Sequence, residues 1–231
     1  MKYENLLQIF EDYDFKERLM NLAGMTQKKG NEFVFSAHSD MHLRDLTVNQ
    51  SKEGEEEGVE DTIYNTGQAL HTPNKGYNLL WVHSHPNMLF YHPSHGDLDC
   101  HEEIIRRNMV KYVSTLHLMN MAGDTIPENY WDRKFNPVGV IVVNPEKAHE
   151  FNGIVFQKVG DKTLRDYMCH ILDSDDVCVR DFERKIETFT YSLDKTIQAM
   201  EDSGMYIASP LHVRKGRIQT EGRGYERFRL V

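Results

Sequence analysis

The stretch Leu79 to Asp99, LLWVHSHPNMLFYHPSHGDLD, constrains this chain more than any other. Tyr77 to His85, YNLLWVHSH, reads as a buried strand that ends in two histidines, and the segment after it, with Pro86, Pro93 and Gly96, must be loop. Side chains two positions apart on a strand project to the same side, so His83 and His85 can converge on one ion. Trp81 is expected to pack under that site, its ring opposite to its strand neighbours. Beyond the loop, DLDCHEEIIRRNMVKYV turns helical, with Leu98, Ile104, Ile105, Met109 and Val113 on one face and Asp97 or Asp99 as N-cap. Either aspartate can add a carboxylate oxygen from across the loop. Two imidazoles and one carboxylate leave the fourth tetrahedral position of Zn²⁺ open, which distinguishes catalytic from structural zinc. Zinc lowers the pKa of water to about 7, and a carboxylate that is not a ligand can move its proton to a leaving amine.

The remaining elements frame this site. Apolar residues from Tyr3 to Ala23 recur at helical spacing, predicting a helix or helix pair with a stop at Gly24. Glu32 to Ser36 is β-prone after a Lys-Lys-Gly turn. Asn49 to Asp61, NQSKEGEEEGVED, has little to bury and is expected to be an exposed loop. Residues 119 to 136, including Trp131, form a second expected surface insertion. PVGVIVVNP and GIVFQKV are strands, paired through a short connection. Thr163 to Ser203 reads helical, with Phe182, Ile186, Phe189, Leu193 and Ile197 as a core or dimer stripe. The tail RKGRIQTEGRGYERFRLV is basic, and is a flexible end or an edge strand.

Charge and composition exclude several classes. A net charge of -9 with no extended Lys/Arg block argues against nucleic acid as a partner. No apolar run approaches the roughly 18 to 20 residues that span a bilayer, so no membrane is expected. The acid-containing N-terminus does not read as a signal peptide, and a cytoplasmic location follows as the expectation. Cys100, Cys169 and Cys178 lack CxxC spacing and are expected to be reduced thiols.

The run HSHP, preceded by LLWV and followed by SHGD, resembles the motif of the JAB1/MPN (JAMM) metalloprotease family: HxH, a spacer, then SxxD. The matching positions are His83, His85, Ser94 and Asp97, with the spacer one residue longer than usual and Asp99 as the fallback ligand. The resemblance covers most of residues 20 to 165 and implies an α/β fold, a mixed curved sheet flanked by helices. That gives a domain over 1–165 and a helical C-terminal extension with a basic tail over 166–231. It implies Zn²⁺ held by His83, His85 and Asp97. Glu32 would be the general base and acid, and Ser94 the donor to the developing oxyanion. Glu53, Glu55, Glu56 and Glu57 are rival bases, on a loop less able to hold one in place. The family's glycine-rich continuation after the glutamate is replaced here by Phe33, Val34, Phe35 and Ser36.

By the same resemblance the chain is a divergent or prokaryotic-type isopeptidase or peptidase. It would cleave after the C-terminal glycine of ubiquitin or a ubiquitin-like modifier, a conjugate of which is the expected partner, and a homodimer is possible. Segments around 45–66 and 114–136 would hold the substrate's extended tail. His92 and His95 are either supporting groups or surface histidines. The alternatives are a noncatalytic MPN-like scaffold, or a peptidase acting on small or cell-wall peptides.

Overall fold

Two helices carry the N-terminal apolar spacing in the computed structural model, which describes residues 3, 5–54, 76–86, 93–130, 133, 136–159 and 192–230. Helix α1 (Leu6–Glu11) opens on a capping box in which Asn5 and Gln8 each accept the other's backbone N–H. Asp12 ends α1 with extended backbone and caps α2 (Tyr13–Lys29), its Oδ1 accepting from the Phe15 N–H at 3.0 Å. Phe15, Leu19, Leu22, Ala23 and Thr26 form the buried stripe of α2. Gly24 is not the stop that the sequence suggested. Glycine inside a helix costs only about 1 kcal/mol, and here a Cβ would lie 3.5 Å from that of Ala148. The helix continues to Lys29 and stops at Gly30, whose φ of 74° makes the left-handed cap.

The sheet is mixed. Its strands are β1 (Phe33–Ser39), β2 (Leu46–Val48), β3 (Lys52–Glu53), β4 (Tyr77–His85), β5 (Val138–Lys147), β6 (Glu150–Lys158), β7 (Tyr206–Arg214) and β8 (Arg217–Ile218). They run in the order β2-β1-β4-β5-β6-β7-β8, with β3 also paired to β1. Among the described strands only β4 and β5 pair in parallel. A parallel pair needs a crossover, and here it contains α3 (His95–Met121). Every residue of β4 is buried, because α2 packs on it from one side and α3 from the other. A larger apolar cluster joins α1, α2 and the later turns of α3 to the sheet. A smaller one, around Val34, Trp81, Ile141 and Phe156, is covered by Leu98 and Ile104 of α3 and Met200 of α4 (Leu193–Asp202). The curled, mixed sheet flanked by helices agrees with the expected α/β class.

Several boundaries differ from the sequence reading. Lys52 and Glu53, expected in an exposed loop, pair with Val34 and Phe33. Glu53 is held there by Lys29 and by Asn31 Nδ2 at 2.9 Å, tertiary contacts that strand propensity does not register. Helix α3 reaches Met121, into the expected insertion, and Glu128–Tyr130 adds a 3₁₀ turn. Trp131 and residues 55–75 fall outside the described residues. Of the stretch read as helix from Thr163 to Ser203, α4 lies at the end, with Leu193 and Ile197 packed on the smaller cluster. Phe182, Ile186, Phe189, Cys169 and Cys178 fall outside. The C-terminal region then returns to the sheet, since β7 pairs with β6 from Phe151↔Val213 to Lys158↔Tyr206, and β8 is an edge strand. Among the described residues no helix is long and apolar enough to cross a membrane.

Close backbone approach between β5 and β6 occurs at Gly153, where a Cβ would meet the Ile141 carbonyl oxygen at 2.1 Å. Gly153→Ala must part the two strands, and a loss of about 3 kcal/mol is expected in urea unfolding. An unchanged midpoint would show that the strands yield freely.

Candidate metal centre

Antiparallel pairing sets Val34 of β1 opposite His83 of β4, which brings Glu32, just before β1, to the histidine end of β4. A carboxylate oxygen of Glu32 and one ring nitrogen each from His83 and His85 lie within 4.8 Å of one another. The third element is α3. Its N-cap is Ser94, not Asp97 or Asp99: Ser94 Oγ accepts the Asp97 N–H at 3.2 Å, and Asp97 Oδ2 accepts the Ser94 N–H at 2.6 Å. This capping box turns the Asp97 carboxylate into the site, with Oδ1 3.3 Å from His83 Nε2 and Oδ2 3.4 Å from His85 Nε2. Asp97 is buried, whereas Asp99 is exposed, so the fallback ligand stays out of the centre.

The surrounding residues fix this end of the sheet from both sides. Trp81 packs beside His83 with ring centroids 4.6 Å apart and planes tilted by 45°, on the same face and opposite to its strand neighbours, as alternation requires. On the other face Ser84, between the two histidines, accepts the Phe33 N–H at 3.0 Å and is hydrogen-bonded to Thr26 of α2 at 2.6 Å. The Gly54 N–H donates to the Glu32 carbonyl at 2.9 Å. Glu32 is thereby clamped between β3 and β4, and neither contact was legible in the sequence. Deeper in the fold, Asn108 of α3 takes both backbone groups of Asn78 on β4, at 3.0 and 2.7 Å, tying the helix of Asp97 to the strand of the histidines. Glu53, a rival base, points instead to Lys29 and Asn31. Glu55, Glu56, Glu57 and His92 lie outside the described residues, and His95 is the first residue of α3. Cys100, in no disulfide among the described residues, packs against the smaller cluster.

Electrostatics prepare these groups for a cation. Burial lowers His83 to about 4, with His85 adding to the effect and Asp97 opposing it, so its ring is neutral at pH 7. Its Nδ1 has no hydrogen-bond partner among the described residues, so the ring's burial is not offset by the protein there. Burial would raise Asp97, but His83, His85 and the Ser94 N–H outweigh it and hold the carboxyl well below the usual range. Glu32 is pushed up to about 7, chiefly by burial, with Asp97 adding and His85 opposing. Donors about 2.0 to 2.1 Å from a tetrahedral zinc stand roughly 3.3 to 3.4 Å from one another. The Nε2–Oδ separations of 3.3 and 3.4 Å, one to each carboxylate oxygen, fall in that range, and two imidazoles with an ionised carboxylate are suitable donors. The residues fit a divalent ion.

Searches against family models, curated proteins and solved structures find no match to this chain.

Ser84→Ala would leave the Phe33 N–H short of its buried side-chain partner, while the Thr26 hydroxyl keeps the Leu22 carbonyl at 3.0 Å. A cost of about 2 kcal/mol is expected in urea unfolding. A thermally and chemically wild-type protein would mean that other groups fix the start of β1.

Proposed function

We propose that this chain is a zinc-dependent isopeptidase or peptidase that cleaves after the C-terminal glycine of a ubiquitin-like modifier. The observation that carries the reading is the meeting of Glu32, His83, His85 and Asp97 at one end of β1, β4 and α3. His83, His85 and Asp97 would hold the metal. Zinc supplies a Lewis acid and, through it, water acidic enough to react near neutrality.

The chain's own residues supply the proton transfers and the positioning. Glu32 accepts a proton from the attacking water at its carboxylate oxygen and hands it to the departing amine nitrogen. Burial that raises this group to about 7 suits it to both steps, and a nearby divalent cation draws that value back down. Ser94 Oγ accepts the Asp97 N–H, which leaves its hydroxyl hydrogen to donate to the carbonyl oxygen as negative charge develops there. Asp97 thus joins the ligand set to the oxyanion donor through one capping box. The buried, converging ligand set favours a hydrolase over a scaffold, which needs no such cluster.

The test is zinc content, together with hydrolysis of a ubiquitin-like C-terminal fusion before and after chelation. Stoichiometric zinc with cleavage that stops on chelation and returns with the metal supports the reading. Cleavage that persists without metal, or zinc-loaded protein that leaves the fusion intact, overturns it.

A further inference from the structure

The end of the sheet that carries the metal centre also carries two hairpin tips. Because β5 runs parallel to β4, its end lies at the His85 end. The β5–β6 turn and the antiparallel β7–β8 turn follow at that same end. The two tips are joined, the Gly216 N–H donating to the His149 carbonyl at 2.8 Å. They expose Lys147, His149, Arg214, Lys215 and Arg217. Arg214 and Arg217 stand directly opposite each other across the hairpin, an arrangement of like charges that destabilises a strand pair. Among the described residues no carboxylate forms an ion pair with Arg214, Lys215 or Arg217. Lys215 also has a φ of 52°, a left-handed conformation that costs a lysine about 1 kcal/mol and that Asn or Gly adopts more easily. Arg214, Lys215, Arg217 and Gln219 line an open concavity of about 670 Å³.

A chain of net charge -9 thus concentrates unpaired cations, at a cost to its own hairpin, beside its candidate reaction centre. Three to four strand spacings of about 4.8 Å separate β4 from β7 and β8, so the tips lie within roughly 15 to 20 Å of the histidines across the sheet. That reach suits the body of a folded protein whose tail enters the centre, and exceeds what a dipeptide spans.

We propose that the paired hairpin tips dock an acidic face of the protein substrate. The assignment of that partner as substrate rests on the hydrolase reading above, while the surface itself rests on charge and topology. The probe is a short fluorescent peptide of alternating Glu and Gly, titrated at low salt onto the full zinc-loaded chain. It is expected to bind, about tenfold more weakly to Arg214→Ala/Arg217→Ala and about threefold more weakly to Lys215→Asn. Lys215→Asn is expected to melt no lower than wild type, which separates loss of docking from loss of fold. Arg44→Gln removes one positive charge, as Lys215→Asn does, from an exposed site at the opposite end of β1 and is expected to change nothing. Equal weakening in Arg44→Gln would overturn the proposal, as would tighter binding of an oligothymidylate through the same arginines. So would binding that appears only after Glu55, Glu56 and Glu57 become glutamine, since the chain's own acids would then be the occupant. Hydrolysis of the fusion is followed in parallel: a wild-type chain that cleaves the fusion but does not bind the peptide rejects the docking surface alone. Intact binding without cleavage rejects the hydrolase reading alone.

Discussion

Glu32→Gln is expected to keep its zinc and lose about a thousandfold in kcat, the middle of the range for removing a general base. The amide is nearly isosteric with the carboxylate, so the clamp on its backbone, from the Gly54 N–H and from Ser84 through Phe33, has no reason to move. His83, His85 and Asp97 remain to hold the metal. What disappears is a proton acceptor near the attacking water, and that loss falls on kcat while KM stays within about threefold. Metal analysis and steady-state kinetics on the same preparation decide among the roles open to this residue. Full turnover would place the base elsewhere. Loss of zinc would make Glu32 a ligand rather than a base, since its oxygen lies within 4.8 Å of both ring nitrogens.

The site was more legible in the sequence than much of the fold around it, for a physical reason. A strand alternates with a period of two, so an apolar run ending in His-x-His states both the direction of the rings and their convergence. The choice between Asp97 and Asp99 was not legible, because it depends on which residue opens the helix. Ser94 does so, which puts Asp97 at the third helical position and leaves Asp99 exposed. Strand β7 has Pro210 in its middle, and a proline argues against a strand interior, so residues 206–214 carry a weak strand signal. In the fold β8 pairs only with Val213 and Arg214, so Pro210 lies where one side of β7 has no strand partner and its missing N–H breaks no ladder. Its carbonyl accepts from the Tyr225 hydroxyl at 2.6 Å, a contact made by the tail. Strand β3 was hidden for the opposite reason: the Glu53 that makes the segment look like solvent-exposed loop is the group that Lys29 and Asn31 grip. Local pattern thus pointed to a group that could hold a metal ion, while the edges of the sheet were set by contacts between residues distant in sequence.

Metal and stability should be coupled through the same three side chains, and His85→Ala is expected to break that coupling. In the wild type, free zinc at about a thousand times its dissociation constant adds about 4 kcal/mol to the folded state. For a domain of this size that raises the melting temperature by about 10 °C over the chelated protein. The increment is expected because the centre assembles only on folding: His83 and His85 come from β4 and Asp97 from α3. His85→Ala leaves one imidazole and one carboxylate, too few donors for a closed tetrahedral set with one open position. Its melting temperature should be the same with zinc and with chelator, and its cleavage of the fusion should be undetectable. Asp97→Asn is expected to behave likewise, while Asp99→Asn, exposed on α3, keeps zinc, cleavage and the melting increment. A wild-type increment in His85→Ala would place the cation elsewhere on the molecule. A lost increment in Asp99→Asn would mean that the one-residue extension of the spacer shifts the ligand register after all.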